Sequence, residues 1–353
     1  MKRIGILLAL CLLLSGCSLM DGEYLSVTPH ELPITGNQTT IISVSNYWEL
    51  KDVLESMVQA GTETTVISVA KYNQKLVDNG IKAAVQYVKE SYPLGSWAVD
   101  TVEYEVGTAG GQPVVSVNIS YIHGRSQIRQ VQNVSDMEEL ENRVEEALED
   151  CADSLVLLVK NYSRKDLVQM AEDYANVYPN LIMETPAVAV GVYPDEEGGE
   201  RVVEISFAYQ TSRESLRQMQ NQVQRVFSSA ELYINSDSSD LMKYSQLYTF
   251  LMERYDYTVE TSITPAYSLL IHGVGDSEAF AVVYGAMCRQ AGLDCQVISG
   301  TRNGEAWYWN LIRVDDQWLH VDLLEASNQG GFLCSENEQM EGYVWDYSAY
   351  AEG

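Results

Sequence analysis

The chain has 353 residues, 46% of them hydrophobic and 10% aromatic, which is enough apolar material for two or three packed domains and too much for a disordered polymer. Its 50 acidic residues outnumber 22 basic ones, for a formal net charge of -28. A surface of that sign repels nucleic acid and anionic lipid headgroups, so nucleic acid is not expected as a partner, and the acidity reads as a solvated surface rather than a dedicated ligand site.

Lys2-Arg3 precedes an apolar run from Ile4 to Leu14 that is too short to span a bilayer core of ~30 Å. Residues 1–16 are therefore expected to be a signal peptide. The following Leu14-Ser15-Gly16-Cys17 resembles a bacterial lipobox, in which cleavage exposes the cysteine for acylation. Lipid on Cys17 would anchor the mature protein to the cell membrane on its extracytoplasmic face, with more than one acyl chain needed for stable attachment. Residues 17–38 contain Gly22, Pro29, Pro33 and Gly36 without a sustained period, and read as a tether.

With Cys11 removed and Cys17 acylated, Cys151, Cys288, Cys295 and Cys334 remain. They allow three disulfide connectivities or a set of buried free thiols, and sequence does not choose. No Cys/His spacing suggests zinc, and Asn235-Ser236-Asp237-Ser238-Ser239-Asp240 lacks the glycine and terminal glutamate of a calcium loop. No metal or other cofactor is expected.

Residues 39–130 and 131–234 read as two copies of one α/β module. Val44-Ser45-Asn46-Tyr47-Trp48-Glu49-Leu50 matches Val134-Ser135-Asp136-Met137-Glu138-Glu139-Leu140, and Lys71-Tyr72-Asn73 matches Asn161-Tyr162-Ser163. Val114-Val115 pairs with Val202-Val203, and the run from Tyr121 to Gln130 pairs with that from Tyr209 to Gln218. Each copy reads strand, helix, strand, helix, hairpin. In the second, Ser135 to Glu138 forms a capping box before a helix with an apolar face of Leu140, Val144, Ala147 and Leu148. Leu155–Val159 is a short buried strand and 165–177 a second helix, while the glycine-containing segments 107–112 and 194–199 mark the hairpins. His123 faces Thr211 in the other copy and reads as an ordinary surface or turn histidine.

Residues 212–232 are expected to be helical, and a polar break then leads into a helix whose face is Leu241, Tyr244, Leu247, Tyr248 and Leu251. Residues 235–353 carry three spaced motifs. Gly275-Asp276-Ser277-Glu278-Ala279-Phe280-Ala281 reads as a tight turn opening a buried helix, followed by Trp307-Tyr308-Trp309-Asn310 and by Trp318-Leu319-His320-Val321-Asp322. Ser277 falls at a helix N-terminus, where unpaired N–H groups and the helix dipole favour an anion. Together the motifs resemble those of the transglutaminase-like superfamily, papain-like folds in which G-x-C opens the helix, H-A-W-N lies on a later strand and W-Y-x-V-D closes the next. The resemblance implies an α+β protein whose C-terminal transglutaminase-like (papain-like) domain follows the two duplicated α/β modules. It assigns the nucleophile's position to Ser277, the histidine's to Trp307 and the aspartate's to Asp322; a two-residue slip would put Glu305 at the histidine position.

A serine hydroxyl is harder to ionise than a thiol and depends on an adjacent base, whereas an indole offers only an N–H donor. Losing a triad base costs on the order of 10⁴-fold in turnover. One rescue is available in sequence: strand residues two apart share a face, so Trp318, His320 and Asp322 would point together and His320 could serve a Ser277/His320/Asp322 site. The alternative makes Ser277 a helix cap and His320 with Asp322 a polar pair on the strand. Tyr267, Trp307 and Trp309 either line a cleft suited to sugars or extended peptides, or pack the core. The expected function is binding or scaffolding at the cell envelope, with a cell-wall polymer or peptide as ligand; the competing reading is an active peptidase or acyltransferase.

Overall fold

The computed structural model describes residues 41–259, 265–328, 331–332, 335–336 and 340–350. The expected signal peptide, the tether, Cys17 and Cys334 lie outside the described residues. No helix among the described residues is long and apolar enough to cross a membrane.

The first unit runs β1 (Ile42–Ser43), α1 (Tyr47–Ala60), β2 (Thr64–Ser68), α2 (Val77–Glu90), α3 (Pro93–Ala98), β3 (Val99–Ala109), β4 (Gln112–Tyr121) and a short α4 (Arg125–Ile128). The second runs β5 (Gln132–Val134), α5 (Met137–Glu149), β6 (Ser154–Val159), α6 (Leu167–Val177), β7 (Ala187–Tyr193) and β8 (Arg201–Ala208). Their four-stranded sheets have equivalent orders, β1-β2-β4-β3 and β5-β6-β8-β7. In each, the first pair is parallel and the other two antiparallel. The registers also correspond: Thr64 and Ser68 face Asn118 and Val114, as Ser154 and Leu158 face Ser206 and Val202.

The likeness extends to single hydrogen bonds. Asn46 accepts the Glu49 N–H at 3.1 Å while the Glu49 carboxylate accepts the Ser45 N–H at 2.7 Å. Asp136 accepts the Glu139 N–H at 3.1 Å while Glu139 accepts the Ser135 N–H at 2.8 Å. The cap is therefore one residue later than the spacing predicts, on Asp136 instead of Ser135, because an aspartate in extended conformation places its oxygen over the third helical N–H. Both helices bury the faces their periodicity implies, Leu140, Val144, Ala147 and Leu148 in α5.

The first hairpin closes on Gly110-Gly111, both at positive φ, the geometry of a two-residue turn that follows strand twist. The second uses a longer loop pinned by Arg201, whose Nε donates to Glu196 O at 3.1 Å and Nη1 to Glu200 O at 2.7 Å. Leu155, Leu157 and Val159 of β6 face the core under α5 and α6, while Val156 and Leu158 pack against the core of the first unit, which also takes in Val202. Cover on both faces explains why β6 is apolar without alternation.

The rest of the chain comprises α7 (Arg213–Tyr233), α8 (Asp240–Met252), β9 (Asp256–Tyr257), α9 (Pro265–Tyr267), a π-helical turn Ser268–His272, β10 (Val274–Gly275), α10 (Ser277–Gln290), β11 (Cys295–Arg302), β12 (Glu305–Val314), β13 (Gln317–Val321), α11 (Leu323–Asn328), β14 (Tyr343–Trp345) and a 3-10 turn Tyr347–Ala349. Strands β13-β12-β11-β14 form an antiparallel sheet, with α10 packed on one face. Every residue of α10 from Ala279 to Cys288 is buried, so this helix is apolar on all sides. Its one internal hydroxyl, on Tyr284, donates to Tyr244 O at 3.0 Å, and Tyr244 in turn donates to Asp294 O at 2.6 Å. Leu241, expected on the inner face of α8, is 42% exposed, while Phe250, outside that expected face, is buried. The sequence division at 234/235 groups α7 with the second unit, yet Leu216, Val223, Phe227 and Ala230 pack into the C-terminal core. The whole is a mixed α+β fold, the class expected.

Asn46→Ala and Asp136→Ala are each expected to lower the stability of their own unit by about 1 kcal/mol, and to add in the double variant because the caps sit in separate cores. Urea unfolding followed by circular dichroism checks this; an effect from only one of the two would show that the caps are not equivalent.

Candidate functional site

The turn into α10 requires Gly275, where a Cβ would sit 2.8 Å from Ala279 Cβ and 3.2 Å from Leu269 Cβ. Asp276 caps the helix, its Oδ1 accepting the Ala279 N–H at 3.0 Å. Ser277 is thus the first helical residue and not the cap. It is buried, and its Oγ accepts the Tyr308 N–H of β12 at 3.4 Å.

Trp307, at the position the resemblance gives to histidine, does what a triad histidine does toward its aspartate: Nε1 donates to Asp322 Oδ2 at 2.7 Å. The same oxygen accepts the Tyr343 hydroxyl at 2.7 Å, and Arg302 Nη1 lies 3.9 Å away. Asp322 Oδ1 accepts the N–H groups of Leu324 and Glu325 at 3.0 and 3.1 Å, capping α11. Arg302 also pairs with Glu325, and its guanidinium lies over the rings of Trp307 and Tyr343, 5.3 and 5.5 Å from their centroids. Burial pushes the Tyr343 phenol up, reinforced by its bond to Asp322. The residues around Asp322 supply N–H and O–H donors to it, and the Trp307 indole cannot take a proton.

His320 is not placed as a base for Ser277. It faces Leu311 across β12 and β13, which puts it on the sheet face of Trp309 and Leu311. The opposite face carries α10, as shown by Asn310 Nδ2 donating to Ala281 O at 2.8 Å. His320 Nδ1 accepts the Trp309 N–H at 2.8 Å, and the ring packs edge-on against Trp345 at 4.7 Å. Asp322 lies past the end of β13, so the period-two rule that grouped it with His320 stops applying. Trp309 is fully buried in this aromatic cluster and lines no cleft. Tyr267 turns toward α7, its hydroxyl donating to Gln222 Oε1 at 2.9 Å. The aromatic beside Trp307 is Tyr257, 5.9 Å between centroids.

Tyr257, Arg302, Glu325 and Tyr343 were not legible as site residues. Each reaches Asp322 or Trp307 from a different element, so no local pattern marks it. The structure likewise brings Glu278 and Tyr308 to a groove of about 690 Å³ beside α10, between β11 and the end of α6. Glu278 is half-buried and makes no hydrogen bond or ion pair among the described residues; burial, then the nearby Asp276, pushes its carboxyl above the ordinary range. His123 stacks on Trp97, 4.2 Å between centroids and 8° from parallel, in the first unit. Cys151, Cys288 and Cys295 are free, buried thiols, and burial pushes Cys288 well up, with Cys295 as its neighbour. Among the described residues no group of His, Cys, Asp and Glu could hold a metal ion.

A carboxyl whose folded pKa is raised disfavours the folded state once it ionises, so this contribution is absent below the ordinary value of 4.5 and present above the raised one. Glu278→Gln is therefore expected to melt higher than the parent at pH 7 and to match it near pH 4. Calorimetry across that range checks the sign, and a variant that melts lower at pH 7 would show that Glu278 has a stabilising partner.

No curated protein matches the chain. Solved structures do match in part: a crystal structure of a TGase at 10% identity over 60% of this chain and 61% of that one, TM-score 0.27; a proposed cysteine protease from Cytophaga hutchinsonii at 10% identity over 45% and 70%, TM-score 0.27; and the ethylmercury-bound periplasmic domain of TgpA from Pseudomonas aeruginosa at 17% identity over 38% and 60%, TM-score 0.26. The chain thus spans about three fifths of the first of these. Residues 229–323, which run from the end of α7 through α8, α10 and the strands to Asp322, match the model of the transglutaminase-like superfamily, and this part of the chain is a transglutaminase-like domain.

Proposed function

We propose that the protein is a lipid-anchored, extracytoplasmic protein whose transglutaminase-like domain binds a cell-envelope ligand and carries out no acyl transfer or hydrolysis. The bond from Trp307 Nε1 to Asp322 Oδ2 carries this reading. An indole, whose N–H is given to Asp322, stands at the position that the resemblance assigns to the base, and the buried Ser277 hydroxyl accepts a backbone N–H with no base bonded to it among the described residues. Without a base, an alcohol has no route to ionisation at neutral pH. The anchor is supported by the sequence alone, through Lys2-Arg3, the short apolar run and Leu14-Ser15-Gly16-Cys17.

Purified protein incubated with a fluorophosphonate probe is expected to remain unlabelled at Ser277. Stoichiometric labelling that disappears in Ser277→Ala would overturn the non-catalytic reading. In cells given an alkyne fatty acid, the parent is expected to take up label and partition with membranes, and Cys17→Ser to lose both; label retained by Cys17→Ser would remove the anchor from the proposal.

A further inference from the structure

Strand β14 covers only the last three residues of β11, pairing Gly300 with Trp345, Thr301 with Val344 and Arg302 with Tyr343. The earlier residues of β11 keep β12 on one side and, among the described residues, have no strand on the other. Backbone groups of residues two apart point the same way along a strand. The Ser299 N–H points outward, since it donates to the Tyr350 hydroxyl at 2.9 Å, and Cys295 and Val297 therefore present their backbone groups on that same edge. The N–H and C=O of Val297 have no partner among the described residues. A side-chain hydroxyl thus stands where the carbonyl of a neighbouring strand would be, next to an open donor and acceptor.

That edge lies in the groove of about 690 Å³. Asp173 and Asn176 of α6 form one wall and Glu278 and Val282 of α10 the other, with Tyr350 at one end. Its lining carries two carboxylates, Asp173 and Glu278, against one cation, Arg289, whose Nη2 donates to the Val177 carbonyl at the end of α6. Glu278 makes no ion pair among the described residues, and the chain as a whole is strongly acidic. An unpaired strand edge is a template for another extended backbone, and the uncompensated carboxylate selects its charge.

We infer that Cys295–Ser299 of β11 is a strand-addition site for an extended peptide with basic side chains, whose backbone pairs with Val297 and displaces the Tyr350 hydroxyl from Ser299 while a cationic side chain meets Glu278. The inference rests on the binding reading above and names its ligand class. Five strand residues span about 17 Å, so a ligand of six residues covers the edge. A second copy of this chain fits poorly, because both surfaces are acidic.

The test uses the full chain in detergent and a fluorescent, end-capped hexapeptide alternating valine and lysine, read by anisotropy. The parent is expected to bind it. Methylating the peptide's alternate backbone nitrogens on the pairing side is expected to weaken binding about tenfold or more, because each methyl removes a backbone donor and adds bulk at the edge. Glutamate in place of lysine is expected to abolish binding. Glu278→Gln is expected to weaken binding severalfold while melting no lower than the parent, which separates recognition from misfolding. Tyr350→Phe, which frees the Ser299 N–H, is expected to bind at least as tightly. Equal affinity for the methylated and unmethylated peptides, or no binding by the parent, would overturn strand addition. Tighter retention of a neutral glucan oligomer than of the peptide would do so as well, in favour of a sugar ligand. Labelling of Ser277 by the fluorophosphonate with peptide binding intact would overturn the non-catalytic reading alone.

Discussion

The C-terminal domain depends on satisfying one buried carboxylate. Asp322 is 8% exposed, and an ionised carboxylate with that little water costs several kcal/mol unless donors replace the solvent. Among the described residues, its carboxylate accepts hydrogen bonds from Trp307 in β12, Tyr343 in β14 and two backbone N–H groups at the start of α11, with Arg302 of β11 close by. Those donors lie on two strands of the sheet and the helix that follows it, and the nearby guanidinium adds a third strand. The arrangement of the sheet's end is thereby tied to a single charge, and truncating any one donor leaves part of that charge without compensation.

This also gives a physical account of a site with serine and tryptophan at the positions that the resemblance assigns to cysteine and histidine. An imidazole and an indole both present a ring N–H, so the aspartate can be retained as a structural acceptor when the proton-accepting function of the ring is absent. Trp307 brings additional apolar area, and it packs beside Tyr257 and under the Arg302 guanidinium, filling space at the open end of the sheet. The Ser277 hydroxyl accepts the Tyr308 N–H at the junction of helix and strand.

The duplicated units show one topology serving two packing environments. Both caps, both sheet orders and both registers agree, so the local rules are common to the copies. Their sheets differ in exposure. The second has α5 and α6 on one face and the core of the first unit on the other, which explains its continuous apolar strand. Its helix α6 then ends at the groove beside α10, where the Val177 carbonyl holds Arg289. The second module therefore forms part of the wall of the C-terminal groove.

Local periodicity and capping chemistry determined most of the elements: the helices of both modules, the glycine hairpin at Gly110-Gly111, the buried helix after Gly275 and the three spaced motifs are local patterns, and local patterns survive in a sequence. Direction and partnership across elements are not local, and only the tertiary structure decided them. Asp276 and Ser277 are both plausible caps until the backbone selects the extended one. His320 and Asp322 share a face only if the strand continues, and it ends at Val321. Trp309, Trp307 and Tyr267 are equally aromatic in sequence, yet one is core, one bonds Asp322 and one turns to α7. Tyr343, Arg302 and the open edge of β11 arise from pairing between distant segments, where β14 stops after three residues for reasons that no periodicity encodes.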